Sequence, residues 1–165
     1  MILGVDPGLN ITGYGVISLQ AERMELVAAG DIRPPKSRPL AERLQALHAA
    51  LCDVIARYRP SVAVLEKIFV HHGHVTTAAL MAHARGVVCL AVQERGIELA
   101  EYLPTHIKKS LTGRGQASKD QVARMVGQWV SVEAGWSSDA TDALALAIVH
   151  AHHAIQRRNL AGLVR

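Results

Sequence analysis

The chain opens on a short apolar run, Ile2 to Val5, that stops at Asp6-Pro7-Gly8. A run of that length closed by turn-forming residues predicts a buried strand. Gly13 leads into a second strand candidate, Tyr14 to Leu19, and a third with weak alternation runs from Glu25 to Ile32. The links between them are short, which predicts an antiparallel meander. Beyond a break at Pro34-Pro35 the period changes. Leu40, Leu44, Leu47, Leu51, Val54 and Ile55 recur at the spacing of an amphipathic helix that reaches Tyr58. After Pro60, the continuous run Val62 to Leu65 ends in Glu66 and suits a central parallel strand.

The second half reads in the same way. Thr76 to Arg95 is Ala-rich and helical, with Gly96 as its stop. Ile97 to Leu103 alternates as a strand, and Pro104 opens a short helix. Gly113-Arg114-Gly115 is the most flexible stretch. Ser118, with Gln121 three residues later, makes a capping box for a helix to about Val130. The last helix starts at Ser138 or Asp139 and runs to about Gln156. This order predicts an α/β fold, a mixed five-stranded sheet flanked by helices.

Composition narrows the class. The chain has 165 residues, enough for one domain over 1–165, and its 50% hydrophobic and 19% charged residues are those of a globular protein. Aromatics make up only 4%, so the core must be built from Ala, Val, Leu and Ile. Cys52 and Cys89 have neither CxxC nor zinc-finger spacing and read as reduced, buried thiols. The start, Met1-Ile2-Leu3-Gly4-Val5, carries no basic stretch or cleavage site, and no apolar run reaches the roughly 18 residues of a membrane span. A cytoplasmic protein is expected.

Four acids carry the chemistry. Asp6 and Glu66 each follow an apolar strand, and so stand at the carboxyl edge of the sheet, where open α/β folds place ligands. Taken alone, Asp6 could be turn chemistry and Glu66 an ion pair with Lys67 or Arg85. Asp139 and Asp142 sit at i and i+3 on one helix face; first-turn acid enrichment would account for Asp139 just as well. Brought together, the four would repel and call for cations. Hard oxygen donors select Mg²⁺ or Mn²⁺, and two such ions ~3.5–4 Å apart can activate a water and stabilise a leaving oxygen in phosphodiester hydrolysis.

Charge adds a partner. The formal net charge is +4, and between Thr105 and Arg124 five bases (Lys108, Lys109, Arg114, Lys119, Arg124) face one acid, Asp120, which equals the whole excess. Bases around a Gly-rich loop suit phosphate contacts, although charge runs are usually solvated helix faces. Phe69 is the only Phe, in the loop after Glu66. It is either a core anchor or a wedge that stacks on bases. His71, His72 and His74, and His150, His152 and His153, lack zinc-ligand spacing and read as surface histidines.

The residues around these positions resemble the RuvC Holliday-junction resolvases. The matching stretches are Ile2 to Val16, Glu66-Lys67-Ile68-Phe69, Ala84-Arg85-Gly86-Val87, Gly113 to Lys119, and Asp139-Ala140-Thr141-Asp142-Ala143-Leu144-Ala145, in family order over nearly the whole chain. The resemblance implies a ribonuclease H-like fold and a homodimer that makes symmetric nicks in a four-way DNA junction during recombination and repair. It implies a catalytic, metal-binding set of Asp6, Glu66, Asp139 and Asp142, and a wedge at Phe69. DNA contacts are expected at Lys108 or Lys109 and at Lys119, with Arg85 and Arg114 added. A branch-migration helicase complex of the RuvA and RuvB type and a place at the bacterial nucleoid are expected too. Two features depart from the pattern: Lys67, where members often carry Gln, and the histidines after Phe69.

Two other readings stand beside this one. Asp6-Pro7-Gly8-Leu9-Asn10-Ile11-Thr12 is similar to the first phosphate motif of actin-like ATP-binding proteins, but those need two duplicated domains. A non-catalytic nucleic-acid-binding domain would have no need of four acids.

Overall fold

A computed structural model describes residues 1–67, 75–130 and 136–163, excepting the side chains of 75–77 and 163. The elements run β1 (Ile2–Asp6), β2 (Thr12–Gln20), β3 (Arg23–Ile32), α1 (Leu40–Tyr58), β4 (Val62–Glu66), α2 (Val75–Glu94), β5 (Glu98–Tyr102), α3 (Pro104–Thr112), α4 (Lys119–Trp129) and α5 (Ser138–Leu163). The strands form one mixed sheet in the order β3-β2-β1-β4-β5. The meander β1-β2-β3 is antiparallel, as its short links require, and β1, β4 and β5 are parallel.

Differences from the sequence pattern lie at element ends. β5 is shorter than the alternating run because both flanks are taken by helix ends. The Ile97 N–H bonds to the Val92 carbonyl at the end of α2, and Leu103 is the N-cap of α3. α5 continues past Gln156 to Leu163, since no breaker interrupts Arg157 to Ala161. Arg158 and Asn159 also tether it to Ala21 and Glu22 in the β2–β3 turn. The Ser118–Gln121 capping box forms in full.

Alternation along the strands splits the core in two. Ile2, Ile17, Val62 and Val64 face α3, α4 and α5 and meet Ile107, Val126, Leu144 and Ile148. Leu3, Val5, Val16, Ala63 and Leu65 face α1 and α2 and meet Leu47, Leu51, Ile55 and Val88. α5 lies between the sheet and α3/α4, and Ala143 to Ala151 are buried without a break. A helix enclosed this way is apolar on all sides. Its approach is close enough that a Cβ at Gly4 would overlap the Ala143 carbonyl, and one at Gly13 the Asp139 carbonyl.

Candidate active site

β1 and β4 are neighbours in register, Gly4 beside Val64, so both strands end together at Asp6 and Glu66. Asp6 is in phase with Ile2, and Glu66 with Val62 and Val64, which point into the core under α5. Both carboxylates therefore project toward α5. The start of α5 is fixed from two sides. The Ala140 N–H bonds to Ser137 Oγ at 3.1 Å, a side-chain cap, and that hydroxyl donates to the carboxylate of Asp31 near the end of β3. Gly13 admits the helix's first turn against β2. As a result Asp139 and Asp142 line the same cleft as Asp6 and Glu66, a cavity of about 630 Å³.

The loop after Asp6 is closed by Thr12, which is fully buried. Its hydroxyl donates to the Gly8 carbonyl at 2.7 Å and accepts from the Gly8 N–H at 3.2 Å. The threonine that suggested a phosphate loop is thus spent on holding the turn beside Asp6.

Electrostatics sets the four carboxylates against one another. Burial, then the charges of Asp142, Asp139 and Glu66, pushes Asp6 up to about 7, with Lys119 opposing. Burial and Asp142 raise Glu66, with Lys119 and Lys108 opposing. The ammonium of Lys119 lies 3.2 Å from Asp142 Oδ2, and that carboxylate raises the lysine's own pKa. The nearby lysines thus offset only part of the burial and mutual repulsion of the carboxylates, and a bound cation could offset more. The donor set, all hard oxygens, fits Mg²⁺ or Mn²⁺.

The basic residues divide. Lys108 and Lys119 line the cleft, as does Lys67. Arg85 lines it too, but its guanidinium is committed: it donates to the Glu66 carbonyl at 2.6 Å and pairs with Glu101, tying α2 to the ends of β4 and β5. It bonds the backbone of Glu66 rather than the carboxylate that the ion-pair alternative required. Lys109 is exposed on α3, and Arg114 lines a separate groove of about 390 Å³ with Gln121 and Arg124. Phe69, His71, His72 and His74 lie outside the described residues.

The histidines of α5 correct an expectation. They are packed rather than free at the surface. His150 is buried and hydrogen-bonded to the Tyr102 hydroxyl, His152 meets the Trp129 ring edge-on, and His153 stacks on Tyr102. Burial lowers the pKa of all three. Cys52 and Cys89 are free and half-buried. Sequence reasoning missed Gly4, Gly13 and the Ser137–Asp31 link. The available signal was small residues on both sides, glycines in β1 and β2 and an alanine-rich α5.

The family model for the crossover junction endodeoxyribonuclease RuvC matches residues 2–150. The RuvC of Azorhizobium caulinodans is 45% identical over 152 residues, 92% of this chain and 89% of that protein. The RuvC of Xanthobacter autotrophicus is likewise 45% identical, with the same coverage of 92% and 89%. Among solved structures, Thermus thermophilus RuvC in complex with a Holliday junction substrate superposes with a TM-score of 0.84. It is 32% identical, and 94% of each chain is covered. The sheet and its flanking helices are the ribonuclease H-like fold of that structure.

Proposed function

The chain belongs to the RuvC family of crossover junction endodeoxyribonucleases, and from that premise we propose that it resolves four-way DNA junctions by paired, symmetric nicks in recombination and repair. The observation that carries the reading is the meeting of Asp6, Glu66, Asp139 and Asp142 in one cleft rimmed by Lys108 and Lys119. RuvC nucleases are metal-dependent, and the four acids are the residues that would hold the metal. Mg²⁺ or Mn²⁺, two ions per site, would supply an activated water and charge for the leaving oxygen.

The chain's own groups do the positioning. Asp6 and Glu66 are held by the sheet, and Asp139 and Asp142 by a helix start bonded to Ser137. Lys108 and Lys119 offer positive charge where a phosphodiester would enter, and the exposed Lys109 and Arg114 extend it. Arg85 acts by bracing the strand end that carries Glu66. Phe69, three residues beyond Glu66, is proposed as the wedge that stacks on opened bases.

A homodimer suits paired nicks. Leu80, Met81 and Leu90 on α2 are large, apolar and exposed, and the space around Gly86 is open. A two-fold contact through this helix would cover them. Partnership with a branch-migration helicase and association with the nucleoid belong to the same proposal, as does a single domain over 1–165. Among the described residues no helix is long and apolar enough to cross a membrane.

The test is cleavage of a synthetic four-way junction with and without Mg²⁺ or Mn²⁺. Asp6→Asn is expected to abolish cutting while the junction is still retained in a gel. Near-normal cutting by that variant would sink the assignment.

A further inference from the structure

The sheet face opposite the acids holds a second set of ligating groups. His48 and Cys52 are four residues apart in α1 and share one side of that helix. Glu94 is the last residue of α2, which packs alongside α1. His48 Nε2 lies 2.8 Å from Glu94 Oε2, and Cys52 Sγ lies 3.8 Å from the same nitrogen. One donor atom from each residue falls within 4.8 Å of the others. Among the described residues this is the one such trio of His, Cys, Asp or Glu; the cleft acids do not draw that close.

We propose that His48, Cys52 and Glu94 form a binding site for a borderline-soft divalent cation, Zn²⁺ foremost, with a fourth tetrahedral position open to water. Zn²⁺ binds thiolate sulfur at about 2.3 Å, imidazole nitrogen at about 2.0–2.1 Å and carboxylate oxygen at about 2.0–2.2 Å. Tetrahedral angles then separate nitrogen from oxygen by about 3.4 Å and sulfur from nitrogen by about 3.6 Å. The sulfur–nitrogen spacing already fits, and the nitrogen–oxygen pair needs only a small opening. Side-chain exposures of 32% for His48 and 45% for Glu94 leave a path in. Glu94 also stands at the carbonyl end of α2, where the helix dipole favours a cation.

Donor softness separates this site from the cleft. Thiolate and imidazole favour Zn²⁺, whereas an all-carboxylate set favours Mg²⁺ or Mn²⁺. The metal-free arrangement explains less. A half-exposed His–Glu pair contributes little to stability, and the thiol makes only a long contact to the imidazole. With an ion bound, α1 is clamped to the end of the helix whose Met81 and Arg85 line the cleft.

Co²⁺ tests this, because a cobalt–thiolate bond has a charge-transfer band in the near ultraviolet that carboxylate and histidine sites lack. The full chain is titrated with Co²⁺ in excess Mg²⁺, so that the cleft is occupied by the hard ion. One equivalent should bind with a thiolate band, and Zn²⁺ should bleach it. Cys52→Ser should lose the band and Cys89→Ser should keep it. Glu94→Gln should weaken binding at least about tenfold, the smallest loss expected even for an outer-shell partner. Absence of a thiolate band in the unsubstituted chain would overturn the proposal whether or not any variant folds. So would a band that survives in Cys52→Ser.

Discussion

The two faces of the sheet are packed by opposite rules. Toward α1 and α2, the branched side chains of Leu3, Val5, Val16 and Leu65 interlock with Leu47, Leu51, Ile55 and Val88. The gap there is set by side chains, which can repack. Toward α5, Gly4 and Gly13 bring the helix backbone against the strand backbone, with no side chain between. A contact of that kind has no rotamer to adjust. The helix that carries Asp139 in its first turn and Asp142 just beyond it is on the rigid face, where the groups of a working site would be held to within about half an ångström. The helices on the compliant face carry none of the four acids.

The strongest way to break this contrast is a methyl group on the rigid face. Gly4→Ala forces its Cβ into the Ala143 carbonyl, and backbone cannot rotate aside. The expected loss is roughly 4 kcal/mol or more, the range reserved for severe overpacking and strain. The surviving folded fraction should cut poorly, because α5 has moved. Leu51→Met, a volume-conserving change on the other face, should cost less than about 1.5 kcal/mol and leave cleavage intact. Urea unfolding and a junction assay on both variants decide the matter. Equal tolerance would show that close approach is not the constraint.

The next effect is smaller and of opposite sign. Burial and three neighbouring acids raise Asp6 from 3.8 to about 7 in the folded chain. The folded chain then holds the Asp6 proton more tightly than the unfolded chain does. Asp6 costs the fold nothing below pH ~4; its cost grows between about pH 4 and pH 7 and levels off above that, at roughly 4 kcal/mol at most. Metal-free Asp6→Asn should therefore melt higher than the parent at pH 8, with the gain shrinking toward pH 4. Added Mg²⁺ should close the gap at pH 8 by stabilising the parent alone. A gain independent of pH would assign the effect to packing instead.

How much of this was legible in the chain depends on range. Periodicity placed α1 at its observed limits, because a clean apolar stripe starts at Leu40, beyond the Pro34-Pro35 break, and stops before Pro60. The strand-end positions of Asp6 and Glu66 were readable, because a carboxylate closing an apolar run is a local signal. Their meeting with Asp139 and Asp142 was visible only through the family resemblance, since strand register and helix approach are long-range facts. The Gly4 and Gly13 contacts, the Ser137–Asp31 link and the His48–Cys52–Glu94 trio join residues distant in sequence, and no local pattern announces them. The packing of His150 against Tyr102 was hidden for the same reason.

The smallest effect concerns Lys119. It is the first residue of α4, where a cation opposes the helix dipole. Its side chain is 82% exposed, and among the described residues its ammonium donates to Asp142 alone. An exposed pair of that kind contributes under about 1 kcal/mol, so it gives little reason to hold a lysine in an unfavourable place. A phosphate at the cleft mouth is a better reason. Lys119→Ala should then leave stability nearly unchanged, weaken binding to junctions of any sequence, and flatten the plot of log affinity against log salt by about one unit. Arg57→Ala, on the α1 face, is the matched control: that guanidinium lies over the Tyr58 ring and should not alter the slope. If the two substitutions leave the same slope, Lys119 serves Asp142 alone and the rim of the cleft has one phosphate contact fewer.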